Sequence, residues 1–133
     1  MFKRMDHVGV IVDDLEEAER FLGQLQLSAV REVVIPGRLK GVFYQCGDTQ
    51  IELIEVIDED ERARRLGEDR ARVEHIAVEV DDLDKTALAL KALGVRFTGE
   101  PLRSGSTLST WTAPETCDGV MYQLIQKNLP EAE

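Results

Sequence analysis

The chain repeats itself, and this constrains its fold more than any other feature. Asp6-His7-Val8-Gly9-Val10-Ile11-Val12-Asp13-Asp14-Leu15 and Glu74-His75-Ile76-Ala77-Val78-Glu79-Val80-Asp81-Asp82-Leu83 stand 68 residues apart. Both carry an acidic residue, a histidine, an alternating apolar run and Asp-Asp-Leu, in that order. A self-similarity of about half the chain means two copies of one supersecondary unit, each too small to bury its own apolar face. His7 and His75 are the only histidines, and each opens its copy.

Each copy has a consistent local pattern. Val8, Val10 and Val12 alternate with His7, Gly9 and Ile11, which is the period of a β-strand. Ile76, Val78 and Val80 alternate in the same way with His75, Ala77 and Glu79. Each histidine therefore lies on the face opposite the valine row. Asp14 is placed to cap a helix, with Glu17 positioned to complete a capping box. Leu15, Ala18, Leu22 and Leu25 form the apolar stripe of that helix. Leu83, Ala87, Leu90 and Leu93 repeat it, and Gly94 is a natural stop. These helices cover the valine face and leave the histidine face to line something else.

Strand-like segments follow each helix. They fall at Ala29–Ile35, Gly41–Cys46 and Gln50–Val56 in the first copy. In the second they fall at Arg96–Thr98, Ser106–Thr112 and Gly119–Gln126. Pro36-Gly37, Gly47-Asp48 and the 114–119 stretch read as turns. The expected architecture is α+β: two tandem βαβββ modules forming a cleft-lining mixed β-sheet with helices outside. The whole chain reads as one domain, with module one at about 3–57, a charged linker at about 58–72, and module two at about 73–127. The linker carries Arg62-Ala63-Arg64-Arg65-Leu66 and is expected to form a short solvated helix.

The last strands of the copies also match. Ile51-Glu52-Leu53-Ile54 corresponds to Tyr122-Gln123-Leu124-Ile125, 71 residues on. Alternation puts Gln50, Glu52 and Ile54 on one face and Ile51 and Leu53 on the other. Met121, Gln123 and Ile125 likewise oppose Tyr122 and Leu124. Two related modules about a pseudo-twofold axis thus make mates of His7 and His75, and of Glu52 and Gln123. Two imidazoles, a carboxylate and an amide oxygen suit a divalent ion such as Zn²⁺, Ni²⁺, Co²⁺ or Mn²⁺. Taken singly, each of these residues has a plain structural reading. Their recurrence at matched points of a repeat favours a joint site.

This pattern resembles the vicinal oxygen chelate superfamily, which includes glyoxalase I, methylmalonyl-CoA epimerase, extradiol dioxygenases and fosfomycin-resistance enzymes. The stretches that carry the resemblance are Met5–Phe21, Gly47–Glu55, Glu74–Leu90 and Gly119–Leu124, and they are most similar to the epimerase subgroup. The resemblance implies paired βαβββ modules around a metal cleft, commonly in a homodimer. It puts metal ligands at His7, Glu52, His75 and Gln123, the four positions the repeat had singled out. Such enzymes usually have glutamate at the last position, where it binds metal and acts as a base. Gln123 can ligate through its oxygen but cannot accept a proton at neutral pH. The Leu102–Trp111 stretch also departs from the glycine-rich segment of the epimerases, which implies a different pocket.

Metal-stabilised enolate formation is the chemistry the resemblance implies, with Glu52 as base as well as ligand. Epimerisation normally uses acid/base groups on both faces, and Tyr44 or Glu79 is a candidate for the second. A single base fits a glyoxalase-like isomerisation. The leading expectation is a metal-dependent isomerase or epimerase acting on a small acyl thioester or 2-oxo acid derivative. The alternatives are a glyoxalase I-like lactoylglutathione lyase and a non-catalytic drug-binding protein of the bleomycin-resistance type. Tyr44, Arg103 and Trp111 are weaker substrate-binding candidates. For Arg31, Arg38 and Arg103 solvation is the default, and for Trp111 and Phe43 core packing is an equal reading.

Composition excludes other classes. With 26 acidic and 16 basic residues the net charge is −10, opposite to what a phosphate-binding surface needs. The same balance argues against anionic membranes, and no apolar run approaches the ~20 residues of a span. Met1-Phe2-Lys3-Arg4 has no apolar run behind it, so a secretory signal is not expected. Cys46 and Cys117 lack metal-type spacing and read as reduced thiols of a cytoplasmic protein.

Overall fold

The computed structural model describes residues 1–130. Its elements are β1 (Arg4–Val12), α1 (Leu15–Gln24), β2 (Ser28–Ile35), β3 (Leu39–Cys46), β4 (Thr49–Val56) and α2 (Glu59–Arg65), then β5 (Ala71–Glu79), α3 (Leu83–Ala92), β6 (Leu102–Ser104), β7 (Thr107–Trp111), a 3-10 turn at Pro114–Thr116, and β8 (Met121–Gln126). This is the α+β architecture expected from the repeat, with eight strands of mixed direction and three α-helices. The chain divides into two compact units. One is His7–Glu74, and the other joins Met1–Asp6 to the chain from His75 onward. β1 and β5 therefore each pass from one unit into the other, and each histidine is the first residue beyond the crossing point.

In the first unit the strand order is β2-β3-β4-β1. β1 and β4 are parallel, while β3 pairs antiparallel with both β4 and β2. The valine face meets α1: Val12, Leu15, Leu22, Val42, Tyr44 and Leu53 form its core, with Val10 and Ala18 packed against it. Ile11, Ile54 and Val56 point the other way and pack with Leu66, just after α2. Asp14 accepts from the Glu17 N–H at 3.1 Å. The expected capping box is only half made, because the Glu17 carboxylate instead accepts from Arg70 at 2.8 Å. The last leucine of each stripe also differs from expectation. Leu25 and Leu93 are the C-caps of α1 and α3, where the helical phase ends, and both are exposed.

The charged linker is less solvated than its sequence suggests. α2 is capped by Asp58, and Leu66 behind it is fully buried. Arg65 makes a two-pronged contact with Glu74 at 2.7 Å through each nitrogen, and a third bond to Glu61 at 2.6 Å. Arg38 reaches Glu61 at 2.8 Å, and Arg62 donates to the Asp13 carbonyl at 3.0 Å. The neighbouring arginines and carboxylates hold Glu61 below its ordinary pKa and Arg65 above its own, against the opposing effect of burial.

The second unit has the order β5-β8-β7-β6, with β5 and β8 parallel and the other pairs antiparallel. Val78, Val80, Leu83 and Leu124 form its core, with Ile76, Leu90, Phe97 and Leu108 packed around them. The strand expected at Arg96–Thr98 is a single bridge from Phe97 to Thr112. The edge strand is instead Leu102–Ser104, folded onto β7 through a turn in which Gly105 takes φ +59°. Pro101 has no N–H for a longer ladder, which limits this edge to three residues.

Candidate metal centre

The register of β1 against β4 sets the first half of the site. Gly9 lies opposite Glu52 and His7 opposite Gln50, so all four side-chain positions share the face turned away from α1. His7 is 3% exposed, and its Nε2 stands 3.3 Å from Glu52 Oε1. Gly41 on β3 gives the carboxylate room, since a Cβ there would meet Glu52 Oε2 at 3.4 Å. Phe43 is paired with Glu52 across the sheet, and its ring meets His7 edge-on at 5.1 Å and 84°. Arg31, paired with Phe43 from β2, lays its guanidinium 4.0 Å from the centre of the ring.

The second copy repeats this register. Ala77 lies opposite Gln123 as Gly9 lies opposite Glu52, and His75 is buried two residues before Ala77. Gln123 donates its amide N–H to Ser109 Oγ at 3.4 Å, leaving its carbonyl oxygen available as an acceptor. Half-buried Trp111 is paired with Gln123, as Phe43 is with Glu52. His7 and Glu52 thus stand together in the first unit, and His75 and Gln123 hold the matched positions of the second.

Other candidates go elsewhere. Tyr44 is one residue out of phase with Phe43 and faces α1, where it is 6% exposed and donates to Glu19 at 2.8 Å. Burial, reinforced by Glu19, pushes its hydroxyl pKa up to about 12. It is therefore a core residue of the helix face and does not face Glu52. Glu79 is engaged by three cations: Lys3 at 3.5 Å, Arg4 at 3.7 Å and Lys127 at 3.7 Å. Arg103 is exposed and bonds to the Gly105 and Pro130 carbonyls. The site residues that sequence reasoning missed are Gly41 and Ser109. A signal for Gly41 was present, since a glycine inside a strand marks a close approach. Ser109 shares the phase of Trp111.

A sequence profile of the Glyoxalase/Bleomycin resistance protein/Dioxygenase superfamily matches residues 6–111. The mitochondrial methylmalonyl-CoA epimerase of Homo sapiens is 30% identical over 129 residues, covering 92% of this chain and 73% of that protein. The same enzyme of Mus musculus is 30% identical over 92% of this chain and 72% of its own length. The crystal structure of methylmalonyl-CoA epimerase from Mycobacterium tuberculosis matches with a TM-score of 0.83 at 25% identity, covering 95% of this chain and 89% of that one. A variant of the Streptomyces coelicolor methylmalonyl-CoA epimerase, in complex with 2-nitronate-propionyl-CoA, shares the fold with a TM-score of 0.78 at 23% identity. It covers 96% of this chain and 99% of that one. Among the described residues, no helix is long and apolar enough to cross a membrane.

Proposed function

The chain belongs to the glyoxalase/bleomycin resistance protein/dioxygenase superfamily, and from that premise we propose that it is a divalent-metal-dependent isomerase or epimerase. Its substrate would be a small acyl thioester or 2-oxo acid derivative. The observation that carries the proposal is the close approach of His7 and Glu52 on one sheet face, with His75 and Gln123 at the matched positions of the second copy. Two donors bound to one ion at about 2.1 Å stand roughly 3.0–3.4 Å apart, and His7 Nε2 and Glu52 Oε1 are separated by 3.3 Å. The donor set of two imidazoles and a carboxylate fits a borderline ion. Gln123 is the fourth ligand in this reading, its amide turned by Ser109 so that the oxygen is available.

When bound, a divalent ion polarises vicinal substrate oxygens and lowers the cost of an enolate. The protein's own residues hold and move the proton. Glu52 takes the α-proton onto a carboxylate oxygen as the C–H bond breaks and its electron pair enters the enolate; inversion at that carbon needs a proton delivered to the opposite face, whereas transfer to the neighbouring carbon needs only Glu52. Phe43 packs against the His7 ring and excludes water on that side. Gln123 moves no proton.

The four proposed ligands include one carboxylate, Tyr44 faces α1, and Glu79 is engaged by Lys3, Arg4 and Lys127. This favours a second reading, in which one base moves a proton between neighbouring carbons on a single face, as a glyoxalase-like lyase does. Unpaired Cys46 and Cys117 support a reducing, cytoplasmic setting. A homodimer belongs to the same reading through the family resemblance, and sedimentation tests it.

The test is metal loading followed by isotope exchange. Saturation at 100 times Kd stabilises a protein by about 2.7 kcal/mol, or roughly 10 °C in Tm at this size. Wild type should show this rise and H7A should not. Wild type without bound metal or a Tm rise refutes the metal site. Metal-loaded protein that fails to exchange the α-proton of methylmalonyl-CoA for deuterium removes the epimerase reading and leaves the lyase.

A further inference from the structure

We propose that the Ser109 hydroxyl is a hydrogen-bond donor to the substrate's oxyanion, and that Gln123 holds it in that role. This rests on the metal-site reading above and deepens it.

The strand register places the pair. β7 and β8 are antiparallel, with Trp111 opposite Gln123 and Ser109 opposite Ile125. Ser109, Trp111 and Gln123 therefore share one sheet face, and Gln123 reaches diagonally to Ser109. Its amide N–H donates to Ser109 Oγ at 3.4 Å. A hydroxyl has one proton and two lone pairs. With the amide N–H on a lone pair, the Ser109 proton has to point away from Gln123. The hydroxyls of Thr49, Thr98, Thr107 and Thr116 donate to backbone carbonyls instead. Thr112 also accepts, from the Tyr122 N–H, but it is 1% exposed and out of phase with Trp111. Among the described residues, half-buried Ser109 is the hydroxyl bonded to a proposed ligand side chain.

The first copy shows what this position does for its neighbour. Phe43 matches Trp111, so Gly41 matches Ser109, and each lies opposite an isoleucine, Ile54 or Ile125. The fold thus needs no side chain at this point. Glycine stands beside the carboxylate and serine beside the amide. A Cβ at position 41 would sit 3.4 Å from Glu52 Oε2. A hydroxyl on it would donate to Glu52 and occupy an oxygen that has a proton to take. A glutamate at position 123 would likewise draw the Ser109 proton onto itself. The amide does the reverse, because it spends its own N–H on Oγ and turns the O–H outward. Gln123 gives up proton transfer, and the same exchange releases a donor beside it.

An anionic oxygen is the chemistry that uses such a donor. Loss of the α-proton puts negative charge on the enolate oxygen. A substrate oxygen on the ion that Gln123 binds is a neighbour of its amide, and Ser109 flanks that amide. The serine donates a hydrogen bond and keeps its proton, so no bond is made or broken there. A donor already aimed before the charge develops needs no reorganisation as it forms.

Isothermal titration of metal-loaded protein with acetohydroxamate and with imidazole tests this. The hydroxamate anion brings vicinal oxygens, whereas imidazole brings a neutral nitrogen and no oxygen. S109A should weaken acetohydroxamate about 10- to 100-fold and imidazole by less than about 2-fold. S109T, which keeps a hydroxyl, should recover most of the affinity. In Q123E, where the carboxylate takes the Ser109 proton, adding S109A should cost little more. Equal loss for both probes would reduce Ser109 to a support for Gln123 and overturn the proposal. So would an S109A protein that keeps its hydroxamate affinity, or a full S109A penalty in Q123E. Metal content, measured on the same samples, separates the two levels. Wild type that takes up no metal removes the functional reading and this proposal with it. Any of the other adverse results in loaded protein removes this proposal alone.

Discussion

Replacing Phe43 with leucine tests whether the stack at the site is an energetic unit. Phe43 is 4% exposed, meets His7 edge-on at 5.1 Å, and carries Arg31 at 4.0 Å. Leucine keeps most of the apolar area, so the burial loss is about 1 kcal/mol. The lost ring-edge contact adds about 0.5–1.5 kcal/mol. The lost cation–ring contact at an exposed guanidinium adds about 0.5–1 kcal/mol. The total is about 2–3.5 kcal/mol for metal-free protein, read as a lower urea midpoint at unchanged slope. R31Q, and R31Q combined with F43L, complete a double-mutant cycle, with an expected coupling of about 0.5–1 kcal/mol. A single-variant loss below about 1 kcal/mol, or a coupling within about 0.3 kcal/mol of zero, would mean that the stack has no energetic reality. Loss of ring support should also weaken metal binding about 10-fold, as with other groups that orient a ligand.

Two further predictions concern titrating groups away from the site. Y44F should cost about 0.5–1.5 kcal/mol and leave metal uptake unchanged, because the hydroxyl bonds to Glu19 on the helix face. The Tyr44 pKa is raised from 10.0 to about 12, so its contribution is fully present below pH 10 and is lost as pH rises through 12. Spectrophotometric titration should show the late tyrosine disappear in Y44F, and a variant that loses metal instead would return Tyr44 to the site. Glu61 has the opposite sign. Its pKa is lowered from 4.5, so its contribution is present above that value and is lost as pH falls through the depressed value. E61Q should therefore be less stable than wild type at pH 7 by about 1.5–3 kcal/mol, with the gap closing in acid. A gap that does not change with pH would contradict the role given to Arg38 and Arg65.

Much of the site was legible because strands have a period of two. His7 against the valine row and Glu52 against Leu53 needed only alternation and the repeat. The position of Tyr44 followed from the same rule but required the register of β3 on β4. The two-residue turn Gly47-Asp48, with Gly47 at φ +63°, closes Cys46 onto Thr49 and so brings Phe43 opposite Glu52. Tyr44 then has to face α1. The edge strand at Leu102–Ser104 was not legible, because three residues carry no periodic signal. Nor was the anchoring of α2, since composition does not reveal that Glu74 and Glu61 converge on Arg65.

The two copies also show where a Glu/Gln exchange is harmless and where it changes chemistry. Glu55 and Gln126 are matched positions, and each accepts from the first N–H of a helix, Leu15 at 2.9 Å and Leu83 at 2.8 Å. That task needs only an acceptor oxygen, which carboxylate and amide both supply. Glu52 and Gln123, three residues earlier, are matched in the same way, and each faces an aromatic ring, Phe43 or Trp111. Both can offer a metal an oxygen, but only Glu52 can take a proton. The cation follows the carboxylate: eight-residue β2 carries Arg31 over Phe43, whereas β6 pairs with β7 only as far as Ser109 and stops short of Trp111. The fold repeats, while among these matched positions the oxygen that can take a proton and the cation over a ring both lie in the first copy.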